Sequence, residues 1–101
     1  MRTITIKRFK YKDKNYKFKE PLKIVFDTFL CYDLKTKKSE IYIPAVNDGY
    51  STSEVTNPDK EIKNYLTHIF DEYLMKNDDE LIDSDRDYKY RFLNLLVNPN
   101  G

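Results

Sequence analysis

The hydrophobic rhythm of this chain changes once, and that change limits the fold more than any other feature. Through residue 55 apolar and polar residues alternate, the period of a strand with one buried face. From residue 57 onward apolar residues recur at i, i+3, i+4 and i+7, the period of a helix with one buried stripe. The expectation is an α+β fold: an antiparallel sheet of four to five strands (residues 2–55), then two helices (57–76 and 84–97) packed on one face of it.

The alternation begins at Thr3-Ile4-Thr5-Ile6 and continues through Phe9, Tyr11, Tyr16 and Phe18, a hairpin turning at Lys12-Asp13-Lys14-Asn15. Pairing Tyr11 with Tyr16 sets Phe9 against Phe18 and Lys10 against Lys17, with the aromatics on one side and Arg8, Lys10, Lys12, Lys17 and Lys19 on the other. Ile4 and Ile6 have the wrong parity for that arrangement, which requires a bulge or twist near Lys7. After Pro21, the run Leu22 to Tyr32 has apolar residues on both faces (Ile24, Phe26, Leu30 and Tyr32 against Val25, Phe29 and Cys31), as a central strand does. Glu40-Ile41-Tyr42-Ile43 forms the next strand, and Asn47-Asp48-Gly49 is a turn into the run Tyr50 to Val55.

Asn57 has the chemistry of a helix N-cap, with Pro58 at the first helical position and Asp59 and Glu61 in the turn where the helix dipole favours acids. Ile62, Tyr65, Leu66, Ile69, Phe70, Tyr73 and Leu74 then make one stripe. An acidic connector, Asn77 to Asp83, leads to Ser84, a second N-cap candidate, and to a stripe of Tyr88, Phe92, Leu95 and Leu96 closed by Pro99 and Gly101. At 101 residues the chain has material for one core, so a single domain, 1–101, is expected. Its longest apolar run, Phe29 to Tyr32, is far below the roughly 20 residues of a membrane helix. A soluble, cytoplasmic protein without membrane contact is expected, and its single cysteine, Cys31, suits packing better than redox work.

Catalytic groups are scarce. His68 has Asn64 four residues before it and Glu72 four after, but no nucleophile can be placed beside it. Ser51 and Ser53 lack the strained turn that exposes a catalytic serine. Asn57-Pro58-Asp59-Lys60-Glu61-Ile62-Lys63 contains the letters of a nuclease metal motif, with its acids too close together at a helix start. Asp83, Asp85 and Asp87 match the first three ligand positions of a calcium loop, but Tyr88 and Asn94 stand where glycine and a bidentate glutamate are needed. Gly49 is the one internal glycine, so no phosphate-cradling loop exists. The expectation is no enzyme, no metal and no cofactor.

Charge is distributed in two blocks. Residues 1–19 carry eight Lys or Arg against one Asp, a net of +7, and residues 54–87 carry eleven acids against four bases, a net of −7. The acidic block offers a surface of Asp78, Asp79, Glu80, Asp83, Asp85 and Asp87, with Tyr73 and Tyr88, for a protein partner with a basic surface. The alternative is nucleic-acid binding through Arg8, Lys10, Lys12, Lys17 and Lys19, where like charges across a ladder would be relieved by phosphate. A third arrangement pairs the two blocks with each other, within one chain or across a homo-oligomer. The sheet-then-helix order resembles small ligand-free regulators, among them antitoxin-like and phage-encoded inhibitor proteins, in topology and composition. That resemblance implies a non-enzymatic regulator or inhibitor that docks on another macromolecule, such as a host defence or nucleic-acid-processing protein.

Overall fold

The computed structural model describes residues 1–31 and 35–97. Four strands form one antiparallel sheet in the order β1 (Arg2–Tyr11), β2 (Lys14–Cys31), β3 (Thr36–Ile43) and β4 (Asp48–Ser53), with β1 and β4 at its edges. Helix α1 (Pro58–Ile69), prolonged by a π-helical turn at Phe70–Leu74, and helix α2 (Asp83–Leu93) follow. The layout is the expected α+β one.

Pairing at the hairpin differs from expectation. Tyr11 pairs with Lys14, Phe9 with Tyr16 and Arg8 with Lys17, so Phe9 does not face Phe18 and Lys10 does not face Lys17. The turn holds two residues, Lys12 and Asp13, and Lys12 adopts a left-handed φ of 54°. The slip is by two positions, so every side chain keeps its face. Phe9, Tyr11, Tyr16 and Phe18 are buried together while Arg8, Lys10, Lys17 and Lys19 are exposed on the opposite side. The bulge near Lys7 is present: the register shifts between Ile6 and Arg8, which turns Ile4 and Ile6 toward the core.

On β2 the same irregularity spans residues 18–21, where Pro21 needs no ladder partner. The strand expected to start after Pro21 is therefore the second half of one 18-residue strand. The same stretch of β2 is paired by the C-terminal segment. Phe18 bridges Leu96, the Lys19 N–H donates to the Leu95 carbonyl at 2.8 Å, and the Val97 N–H donates to the Lys17 carbonyl at 2.8 Å. Recruitment of residues 95–97 to β2 is why α2 ends at Leu93 and does not reach residue 97. The expected closure at Pro99 and Gly101, like the Tyr32 position, lies outside the described residues.

α1 begins as its sequence requires, with the Lys60 N–H donating to Asn57 Oδ1 at 3.2 Å and Pro58 in the first turn. α2 begins at Asp83 with Ile82 at the cap position and no side-chain cap, so Ser84 does not play that part. The core lies between the helices and one sheet face, where Leu22, Ile24, Phe26, Ile41 and Ile43 meet Ile62, Leu66, Ile69, Phe70 and Phe92. Phe70, at the π-turn, is its centre. Its ring lies 4.8 Å from Tyr16, 5.1 Å from Tyr11, 5.2 Å from Phe9 and 5.8 Å from Phe92, so the helix caps the hairpin's aromatic side. No helix among the described residues is long and apolar enough to cross a membrane.

Candidate macromolecular interfaces

The helices cover one side of the sheet and leave the other bare. On the bare side β1 and β2 present Arg8, Lys10, Lys17, Lys19 and Lys23, and Lys12 stands at the hairpin turn, all exposed. Alternation puts them there: the aromatic positions between them face Phe70, so the cations are forced to the opposite surface. Arg8 lies directly across the ladder from Lys17, an arrangement costing on the order of 0.5 kcal/mol. None of these six has an ion-pair partner among the described residues. The close aromatic contact of the group among the described residues is Lys12 Nζ, 5.3 Å from the Tyr11 ring centre.

The acidic block behaves differently, because bases from its own neighbourhood meet many of its carboxylates. Asp78 accepts from Lys89 Nζ at 3.0 Å and from the Tyr90 hydroxyl, and these two hydrogen bonds, that of Tyr90 foremost, hold its carboxyl below the usual carboxylate range. Asp83 pairs with Arg86, and Asp87 accepts from Arg91 Nε at 3.0 Å. Their carboxylates are thus turned to arginines and not to one another, and no group of three potential metal ligands occurs among the described residues. Asp79 and Glu80 are exposed and Asp85 is half-buried, each without an ion-pair partner among the described residues. Tyr73 is half-buried. Tyr88, expected on this surface, is a core residue at 8% exposure. The basic and acidic blocks form no ion pair with each other among the described residues, so self-neutralisation within the chain does not account for them.

His68 is exposed on α1, and Glu72 turns to Lys76 at 3.2 Å. A group that the sequence pattern does not mark is Asp48, expected only as a turn residue. Its Oδ2 accepts the hydroxyls of Tyr65 at 2.7 Å and Tyr88 at 2.9 Å, which joins β4, α1 and α2. Next to it, the Tyr50 hydroxyl donates to Glu61 Oε1 at 2.6 Å. Burial first, and then these hydrogen bonds to carboxylates, push the phenols of Tyr50, Tyr65 and Tyr88 well above their ordinary value. The partners of Asp48 lie 17 and 40 positions away in sequence, so no local motif announces them.

No protein-family model, curated protein or solved structure matches the chain.

Proposed function

We propose that this is a non-enzymatic binding protein that docks on the phosphate backbone of a nucleic acid through the helix-free face of β1 and β2. The observation that carries the reading is Arg8 opposite Lys17 on a bare surface, with Lys10, Lys19 and Lys23 beside them and no ion pair to any of the five among the described residues. Phosphates relieve such crowding and release counterions as they bind. The face does not suit sequence reading. The hairpin's aromatics are buried beneath Phe70 and are closed to base stacking, and a face whose cations are lysines apart from Arg8 gives little bidentate base contact. Binding is therefore indifferent to base sequence, with dissociation constants on the order of 10⁻⁴–10⁻⁶ M at physiological salt.

Fluorescence anisotropy with a mixed-sequence duplex tests this. The wild type binds with a steep loss of affinity as salt rises, and R8Q with K17Q makes the log–log salt slope shallower by about 2. Absence of binding at low salt, or an unchanged slope in the double variant, refutes the reading.

A second reading, docking on a protein with a basic surface as a regulator or inhibitor would, is favoured by one observation. Ile82 is 68% exposed among the acids Asp79, Glu80 and Asp83, the composition of an interface with an apolar centre and a charged rim. Neutralising Asp79, Glu80 and Asp85 abolishes a biological activity that rests on this surface and leaves one that rests on the basic face intact.

A further inference from the structure

A cleft of about 440 Å³ opens between the start of β4 and α1, lined by Asp48, Tyr50, Asn64, Tyr65, His68 and Tyr73. Gly49 fixes its floor: a Cβ there would lie 2.3 Å from the Ile41 carbonyl oxygen, so β4 runs tight against β3 and carries Asp48 and Tyr50 with it. The rings of Tyr50 and Tyr65 meet at 72° with centroids 4.7 Å apart, two walls of a corner, and Tyr73 is held against Tyr88 at 4.6 Å. The hydroxyls are not free to rotate. Tyr65 donates to Asp48 and Tyr50 to Glu61, which fixes the rings and feeds electron density into them.

The charge of this cleft is one-sided. Neither Asp48 nor Glu61 has an ion-pair partner among the described residues, and both hydroxyls on Asp48 land on Oδ2. The Tyr73 phenol is raised by burial and then by Asp85, Asp48 and Glu72, against which Lys76 alone acts. An electron-rich tyrosine corner beside an uncompensated carboxylate is the chemistry that recognises an alkylated cation, through ring faces and charge together.

We infer that this cleft is a binding site for an organic ammonium group, carried either by a small amine or by a lysine side chain of a partner protein. It is separate from the basic face and does not depend on the nucleic-acid reading. The rings supply shape and Asp48 supplies charge, so a cation and its uncharged isostere must differ. A metal ion fits less well, since the lining brings together no group of three His, Cys, Asp or Glu ligands among the described residues.

The test uses the intact chain, with tyrosine ring resonances as the readout. Choline and butylammonium shift Tyr50, Tyr65 and Tyr73 saturably in the millimolar range, and the uncharged carbon isostere of choline binds at least about tenfold more weakly. Tyr73→Leu, at a half-buried rim position, weakens choline about tenfold, and Asp48→Asn does the same if the variant folds. A peptide bearing trimethyllysine that binds more than about tenfold tighter than choline assigns the ammonium to a protein side chain. Equal affinity assigns it to a small amine. Equal binding of the isostere, no saturable shift at those tyrosines, or Tyr73→Leu without effect on affinity overturns the proposal.

Discussion

The two ends of the sheet are both rich in large apolar residues and end in opposite surroundings. At the hairpin end, Phe9 and Phe18 are 6% and 3% exposed beneath Phe70 and Phe92. At the far end of β2, Phe29 and Leu30 pair with Lys38 and Lys37 and are 39% and 57% exposed, because the ribbon formed by β2 and β3 runs past the helices. Alternation tells which side a residue takes. It does not tell whether anything arrives to cover that side, which depends on where a helix from a distant part of the chain is laid down.

Breaking this contrast starts with its largest element. Phe70→Ala should destabilise the protein by about 3–5 kcal/mol, since its ring is the meeting point of Phe9, Tyr11, Tyr16 and Phe92, and chemical denaturation reads the loss directly. Retention of wild-type stability would mean that the hairpin is not covered as described. Next comes alkaline pH. Below about pH 10 the phenols are protonated in both folded and unfolded chains, so their folded-state hydrogen bonds count in full. Above it the unfolded chain ionises first. Stability falls through the window in which Tyr11, raised to about 12 chiefly by its hydrogen bond to Asp71, still holds its proton. Denaturation midpoints at about pH 8 and at successive steps above about 10, followed with tyrosinate absorbance, check the direction; a midpoint flat across that range contradicts it.

Smaller effects sharpen the comparison. Lys17→Glu turns the like-charge pair across the ladder from Arg8 into one of opposite sign, so stability should rise by up to about 1 kcal/mol while affinity for a duplex falls. A cation kept at the expense of stability points to use, and a variant losing both stability and binding would mean the surface is structural. Least of all, Leu30→Thr at the bare end should change stability by no more than about 0.5 kcal/mol. A loss near that of a core leucine, about 2 kcal/mol or more, would show that the ribbon is covered in solution, by a second copy or a partner.

What could be read from sequence was what local chemistry encodes. The cap at Asn57 followed by Pro58, the parity break at Lys7 and the four aromatics on one face all involve residues close in the chain. The hairpin register was not legible, because Lys12 takes a left-handed φ without the Asn or Gly that ordinarily advertises a two-residue turn. The end of α2 was hidden because Leu95 and Leu96 fit a helical stripe as well as they fit β2, and only the carbonyl of Lys17 and the N–H of Lys19 decide between them. For the candidate sites, the cations were legible as a group, since exposure follows from strand parity. Tyr88 was misplaced and Asp48 overlooked, since a hydrogen bond across 40 positions leaves no trace in spacing.

The bond between residues 95–97 and Lys17–Lys19 has a consequence for how the chain is made. During synthesis from the N-terminus, that stretch of β2 emerges early and keeps its outer peptide groups open until residues 95–97 have left the ribosome. An open strand at this stage invites neighbouring nascent chains to pair with it. Lys17 and Lys19 flank the exposed groups and repel a second copy, so the cations of the bare face also guard the unfinished chain.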